Sequence, residues 1–597
     1  MVKTGVAFGD YISTGPKRNF SSKGRSAFGG DLKNNSTRDF FLIVCLIIGI
    51  GIILFKLFFL QILQGSYYKG LSNNNRIKTV VIHAPRGAIF DKNGKSLVFN
   101  VPGFRKIVNG KTVLIGKDEA INLLAKGNLA SEGLEYDSLR QYPYGETFSH
   151  VLGYTGQISE DELKNERFQG YSGGDIIGKM GTEQYFEHTL KGQDGKQLIE
   201  VDSLGNTIRK LGQTDPIPGQ NLTLNVDLNL QKAAFDAMKN VKKGAVVVST
   251  PVGGILALIS KPSFDPNLFT LQAEGAQQQL QSILFDPTDK ALLNRAISGA
   301  YPPGSTFKLI VAAAGLEDKI VDENYTVNDT GILSVGAFSF SNWYFTQYGK
   351  TEGEVDVIKG IKRSNDIFFY KLAEVVGVDK ISEMAKKFGL GKALGIDLFG
   401  EEDGLVPTPE WKQKEIGEPW YLGDTYHYGI GQGYVLTTPL QVNGWTQVIA
   451  NQGILYEPHL LKNQTSKIKN QKFLSEKTVS LIREGMIESC ATGGVAWPLF
   501  EFKVKNPRLK IDGRNFFEVS QATVSAAFKD FRKVSIACKT GTAQHGGATT
   551  LPHAWITLFA PAYNPQIVVT VLVEESGEGS NIAAPIAKKI LEEWFSR

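Results

Sequence analysis

"AYPPGSTFKLIVAAAGLE", residues 300–317, places Ser305 directly after Pro302, Pro303 and Gly304, at the mouth of a run that is apolar on nearly every side, with Lys308 one turn in. The Pro-Gly entry followed by this run reads as a turn that opens a helix. Phe307, Leu309, Ile310 and Val311 leave the helix without a polar face, which predicts burial. Residues at i and i+3 stand one above the other, so the amine can reach the hydroxyl. Desolvation pushes a lysine toward its neutral form, and a neutral amine beside a serine is a general base beside a nucleophile. The helix start also offers backbone N–H to a developing oxyanion. The spacing equally describes an N-capping serine with a snorkelling lysine, and Ser466 with Lys469 repeats it in a polar stretch.

Two further elements weigh on that choice. "RSNDIFFYKLAEVVG" places Ser364 and Asp366 ahead of an amphipathic helix about 60 residues on; taken alone, this is as well read as a capping serine with a first-turn acid. "ACKTGTAQ" follows a strand-like run and carries Lys539, Thr540, Gly541 and Thr542. A lysine on an edge strand, with threonine and glycine letting a chain lie alongside, suits recognition of an extended peptide that ends in a carboxylate. Lys3, Thr4 and Gly5 spell the same tripeptide, but only the copy at 539 has strands on both sides.

At 597 residues, 42% hydrophobic and 21% charged, the chain is long enough for two or three folded units. Seven basic and three acidic residues before position 40 carry +4 of the net +5, which leaves the rest near +1 and without a nucleic-acid footprint. Residues 40–55, "FFLIVCLIIGIGIILF", continue after Lys56 as "LFFL", enough to span a membrane, and no small-x-small cleavage pattern follows. Basic residues before the segment hold the tail in the cytoplasm and send the remainder outside. With three cysteines, one of them in that segment, no disulfide scaffold is implied; Cys490 and Cys538 read as two buried free thiols, although an oxidising compartment would permit pairing.

This gives a disordered tail over 1–39, a transmembrane helix over 40–62, a strand-rich module over 63–220 and a catalytic domain over 221–597. In the last, a hairpin "GAVVVSTPVGGILALIS" precedes a helical block, and three strands, "KVSIACK", "HAWITLFAP" and "QIVVTVLVEE", precede a closing helix. Two strands before the block and three after it predict one α+β domain with an antiparallel sheet.

Ser-x-x-Lys, Ser-x-Asp and Lys-Thr-Gly in this order resemble the signature of the penicillin-recognising serine acyltransferases. "PRGAIFDKNG" at 85–94, "GKMGTEQYFEHTLKGQDG" at 178–195, "GIGQGYVLTTPLQ" at 429–441 and "HAWITLFAP" at 553–561 are similar to phrases of the penicillin-binding protein 2 family, the elongation-type class B peptidoglycan transpeptidases. The resemblance implies a penicillin-binding, serine β-lactamase-like transpeptidase fold, behind a pedestal and one transmembrane helix in the bacterial inner membrane. It implies that Ser305 attacks the D-Ala-D-Ala stem peptide of peptidoglycan, that Lys308 takes its proton and that Ser364, with Asp366 beside it, relays a proton to the leaving amine. It further implies that Lys539 and Thr540, with Gly541, hold the substrate carboxylate, and that Thr542 gives the second oxyanion N–H. β-Lactams would acylate the same serine. No cofactor or metal is expected, and the partners implied are a SEDS-family glycosyltransferase and other wall-synthesis proteins. The sequence departs from the pattern at Asp366, where many relatives carry asparagine, and at Cys538, where glycine is frequent. The stretch 497–532 is long and the pedestal between 100 and 150 is abridged.

Other readings are a septal class B enzyme, a β-lactamase or β-lactam sensor, neither of which explains the module at 63–220, and a catalytically silent scaffold. "GYSGG", Gly170–Gly174, matches a nucleophile elbow but lacks the preceding strand. His545 and His553 have no partners at metal spacing. The aromatic-rich "FSFSNWYFTQY" could serve as a ligand platform, but reads first as a packed loop or strand.

Overall fold

The computed structural model describes residues 36–108, 111–125, 135–202, 207–270, 276–506, 509, 531–547 and 549–597. The expected tail before residue 36 and most of the long stretch before Lys539 lie outside them. Contact density divides the chain into two units, Met1–Lys78 with Glu200–Ser203, and Thr79–Ile199 with Leu204–Arg597.

The first unit holds the apolar helix Ser36–Phe58, whose exposed face is almost entirely aliphatic and aromatic. Together with the turn that follows, Thr37–Leu63 is a 27-residue helix long and apolar enough to cross a membrane. At 1.5 Å per residue this exceeds the roughly 30 Å hydrocarbon core.

The second unit is built on a five-stranded antiparallel sheet: β1 Gly244–Ser249, β2 Ile255–Lys261, β3 Ala537–Ala543, β4 His553–Ala560 and β5 Ile567–Val573, in spatial order β2-β1-β5-β4-β3. The first two strands precede the helical block and the last three follow it, as expected. Nearly every residue is buried, because both faces are covered. Ala245, Val247, Leu258, Trp555, Phe559, Val568 and Leu572 face a core shared with Lys308–Glu317 and Pro439–Ala450. Their alternates, Val246, Val248, Ala257, Ile556, Leu558, Val569 and Val571, face the helices Leu228–Ala237 and Ala583–Phe595. The period of two along each strand is what lets one sheet serve two cores. Among the described residues β3 is an edge strand, paired with β4 alone, in the register Lys539↔Thr557 and Thr542↔Ala554.

Residues 79–199 belong to this unit too. Ile89–Phe90 pairs in parallel with Leu222–Thr223 and antiparallel with Ser96–Val108. Ser96–Val108 in turn pairs with Lys111–Gly116 and Glu135–Gln141. The two pedestal phrases meet in a buried ion cluster. Glu183 accepts from Arg140 Nε at 2.6 Å and from Arg86 Nη2 at 2.9 Å, and Arg86 Nη2 also lies 2.9 Å from Glu187. Burial alone would raise the Glu183 carboxyl, but the two guanidinium groups outweigh it and hold its pKa below the usual range. Glu183→Gln should therefore destabilise the protein by about 3–5 kcal/mol, since it leaves buried guanidinium charge uncompensated. Thermal melts of the full chain check this. The contribution is present above the usual carboxylate pKa and is lost as pH falls through the depressed one.

Two expectations are settled differently by the fold. Cys490 and Cys538 are not free thiols: they form a disulfide, with Cα atoms 5.8 Å apart. The bond spans 48 residues of sequence because the end of helix Glu476–Ser489 is packed against the edge strand β3, an adjacency that spacing does not encode. "FSFSNWYFTQY" is neither one loop nor one strand, since Phe338–Ser341 is a strand and Trp343–Tyr348 a short helix beginning after Asn342. Gly170–Gly174 follows a 3₁₀ turn at Glu166–Phe168, with no strand leading into it, so the elbow reading fails as expected.

Candidate active site

Ser305 lies in the 3₁₀ turn Gly304–Phe307, and Lys308 begins the helix Lys308–Glu317. Gly304 takes φ +54, and its N–H donates to Gly431 O at 2.8 Å. A Cβ on Gly431, itself at φ +72, would stand 2.1 Å from Gly304 O. The phrase around Gly431 thus supplies backbone that fits closely against the serine turn, while its second half, Thr437 to Gln441, starts a helix. Thr438 caps Pro439–Ala450 in a capping box with Gln441.

The helix Lys308–Glu317 is buried through Gly315, as the absence of a polar face predicts. Lys308 Nζ directs its hydrogen bonds to Ser364 O at 2.8 Å, Asp366 Oδ1 at 2.6 Å and Ser364 Oγ at 3.4 Å. These account for all three donors of an ammonium. Among the described residues Ser305 Oγ makes no hydrogen bond to Lys308, so the bond that the i, i+3 spacing allows is not formed here. Burial pulls the Lys308 pKa below the ordinary lysine value, and Asp366 opposes that pull.

Ser364 does not cap the following helix. It ends Val357–Arg363 in the left-handed region, at φ 53 and ψ 38, which costs a non-glycine residue roughly 1–2 kcal/mol. Asn365 N–H closes the turn on Gly360 O at 3.0 Å. Asn365 is the N-cap of the next helix, Asp366–Val376, and its side chain accepts from Phe368 N–H. The single left-handed residue aims Ser364 Oγ at the amines while Asp366, one residue into the next helix, reaches Lys308.

Lys539, on β3, is fully buried. Its Nζ donates to Ser364 Oγ at 2.8 Å and to Thr540 O at 3.0 Å. Ser364 Oγ is therefore held between two lysines from distant parts of the chain. Burial drives the Lys539 pKa well below the usual lysine range, the charge of Lys308 drives it further, and Asp366 works against both. Gly541 lies beside the serine turn: a Cβ there would be 3.1 Å from Pro303 O. Thr542 is exposed on the open edge. All eight residues singled out in the sequence thus gather around one point where the helical block meets the sheet edge.

Several supporting groups are not among the named residues of the three motifs. Buried Asp329 Oδ2 accepts from Asn342 Nδ2 and Asn365 Nδ2, both at 2.8 Å. Asn342 Oδ1 accepts from Asp366 N–H, and Trp343 N–H donates to Asp366 Oδ2 at 3.0 Å. Asp366 is thereby fixed from the side away from Lys308. Gln432, between Gly431 and Gly433, reaches the end of β3: turned so that each amide atom faces its complement, its nitrogen donates to Gln544 O at 3.2 Å and its oxygen accepts from Gln544 N–H at 3.0 Å. Only Asn365 carried a legible signal, an asparagine at a helix start.

The family described as the penicillin binding protein transpeptidase domain matches residues 243–592, and the penicillin-binding protein dimerisation domain matches 118–224. The peptidoglycan D,D-transpeptidase MrdA of Haemophilus influenzae is 32% identical, over 92% of this chain and 90% of its own. The Pseudomonas aeruginosa PBP2 solved in complex with WCK 5153 is 33% identical, with a TM-score of 0.65, over 87% of this chain and 96% of that one. Helicobacter pylori PBP2, solved as a complex with MreC, superposes with a TM-score of 0.71 at 28% identity, over 87% of this chain and 99% of that one. The signature order, the sheet split around a helical block and these likenesses agree: the chain belongs to the penicillin-binding protein transpeptidases, in the PBP2 branch of peptidoglycan D,D-transpeptidases.

Proposed function

We propose that the chain cross-links peptidoglycan stem peptides during elongation through an acyl-enzyme on Ser305. The observation that carries this reading is Ser364 Oγ held by Lys539 at 2.8 Å and by Lys308 at 3.4 Å, beside the serine turn. In this reading Ser305 Oγ attacks the penultimate D-alanine carbonyl, and Lys308 acts as the neutral amine that its burial favours: it keeps its two short contacts to Ser364 O and Asp366, and its lone pair, in place of the long contact to Ser364 Oγ, accepts the serine proton. Ser364, with Asp366 keeping Lys308 in place, passes a proton to the departing D-alanine. The N–H groups of Ser305 and Thr542 stabilise the oxyanion; the former lies in a first helical turn, where no intrahelical acceptor competes. Lys539, Thr540 and Gly541 receive the stem peptide along the edge strand. A terminal carboxylate arriving there supplies the counter-charge that buried Lys539 lacks, so substrate binding would take up a proton. The amine of a neighbouring stem peptide then resolves the acyl-enzyme.

The membrane helix at 40–62 would leave the tail of residues 1–39 in the cytoplasm and the pedestal at 63–220 and catalytic domain at 221–597 outside. Strand polymerisation would come from a SEDS-family partner, with other wall-synthesis proteins on the pedestal; a relative solved with MreC supports a partner of that kind. Its likeness to MrdA and PBP2 proteins favours elongation over septation. The test is fluorescent penicillin followed by peptide mapping: stable label on Ser305 is expected, whereas fast hydrolysis of the antibiotic would turn the reading to a β-lactamase.

Asp366→Asn addresses the departure in the second motif. Without the carboxylate 2.6 Å from its amine, Lys308 loses the one charge that keeps its pKa up. The rising limb of the acylation pH–rate profile should then move down by about 1 unit or more. An unmoved limb would mean that Lys308 is not the group being titrated.

A further inference from the structure

Cys490 and Cys538 lie outside the three motifs, yet Cys538 is the residue before Lys539 and Cys490 ends the helix Glu476–Ser489. That helix packs against Val357–Arg363, the helix ending at Ser364. Their approach is close because of Gly485, where a Cβ would stand 2.7 Å from Ile361 Cβ. Lys362 Nζ pairs with Glu488 Oε2 at 2.6 Å, and Arg363 Nη1 donates to Gly493 O at 2.9 Å. The connections close into a ring: Cys538 to Lys539, Lys539 Nζ to Ser364 Oγ at 2.8 Å, one helix to the other, and Cys490 back to Cys538. One side of the ring is peptide chain, one a hydrogen bond and one helix packing. The fourth is the disulfide, the covalent link between the two distant segments.

We propose that the Cys490–Cys538 disulfide is a positioning element for the transpeptidation site: it fixes the strand bearing Lys539 relative to the helix bearing Ser364, so that the Lys539–Ser364 hydrogen bond is already formed before substrate arrives. Both sulfurs sit in the core under the sheet, Cys538 fully buried and Cys490 nearly so. The bond therefore belongs to the body that carries the site and not to a surface loop. It also ties full activity to an oxidising compartment, where such bonds persist. Cys490 and Cys538 touch no substrate in this account and act through Lys539. The inference rests on the role proposed for Lys539 and Ser364.

The test is the full chain carrying Cys490→Ala and Cys538→Ala, which leaves two small apolar residues and no buried thiol. Its acylation by fluorescent penicillin is measured per mole of folded protein, over a range of pH. Loss of geometry at the level of a fraction of an ångström to one ångström should lower the acylation rate roughly 10–100-fold. As water reaches the amines, the rising limb of the pH–rate profile should move to higher pH. A bond that merely stabilised the fold would lower the melting temperature and leave rate and profile unchanged, and that result overturns the inference. Should the variant yield too little folded protein, wild type is treated with a phosphine, which takes the oxygen of one water to become phosphine oxide while the disulfide becomes two thiols. The rate should fall in step with the appearance of those thiols. Thiols appearing at constant rate would overturn the inference as surely. Wild type that takes no label on Ser305 would instead count against the functional reading itself.

Discussion

Ser305→Ala abolishes acylation by penicillin: a fall of at least about 10³-fold, the scale on which loss of a nucleophile is measured, is the expected result. Ser305 is half-buried in a 3₁₀ turn whose backbone is held by Gly431, so removing one oxygen leaves the turn in place. Stability should change by no more than about 0.5 kcal/mol. The measurement pairs labelling with a melt: a silent, folded variant is the predicted combination. Complementation of growth and cell shape by that variant would instead favour a scaffold, which needs no nucleophile.

Lys308→Ala carries the second large effect, a loss of about 10²–10⁴-fold in acylation rate, the range for a positioned general base. The informative companion is Lys308→Arg. A guanidinium can keep a charged partner for Asp366, but it does not deprotonate near neutral pH and cannot accept the Ser305 proton. If Lys308 served only to neutralise Asp366, arginine would restore the rate; the base reading requires that it does not. Asp366 itself keeps the N–H of Trp343 as a partner in both variants, so any change tracks the amine.

The arrangement also explains how two lysines share one small site. Asp366 lies 2.6 Å from Lys308, whereas Lys539 faces a hydroxyl and a carbonyl. Burial and the nearby charge of Lys308 hold the Lys539 pKa well below the usual lysine range, and the counter-charge absent from its hydrogen bonds is of the kind that the proposed function has a peptide carboxylate bring. Under the proposed function, carboxylate recognition and proton uptake at Lys539 would be one event.

The sequence by itself determined an apolar helix long enough to cross a membrane, the division of the five-stranded sheet around a helical block, and the order of the three motifs that hold the eight candidate residues. The apolar run at 40–60, the alternation in "HAWITLFAP" and the unbroken apolar helix after Ser305 are patterns of local physics, and the motif order is a pattern of chemistry. Tertiary structure decided what those residues do to one another. Nothing in "RSND" announces that Ser364 would end one helix in a left-handed joint, or that Asp329, more than 30 residues earlier, would anchor the asparagines around it. Nor does spacing reveal that Lys308 bonds Asp366 and Ser364, or that Cys490 meets Cys538. Hydrogen bonds and disulfides depend on ångström-scale approach between elements far apart in the chain, and that approach is set by how helices pack on a sheet.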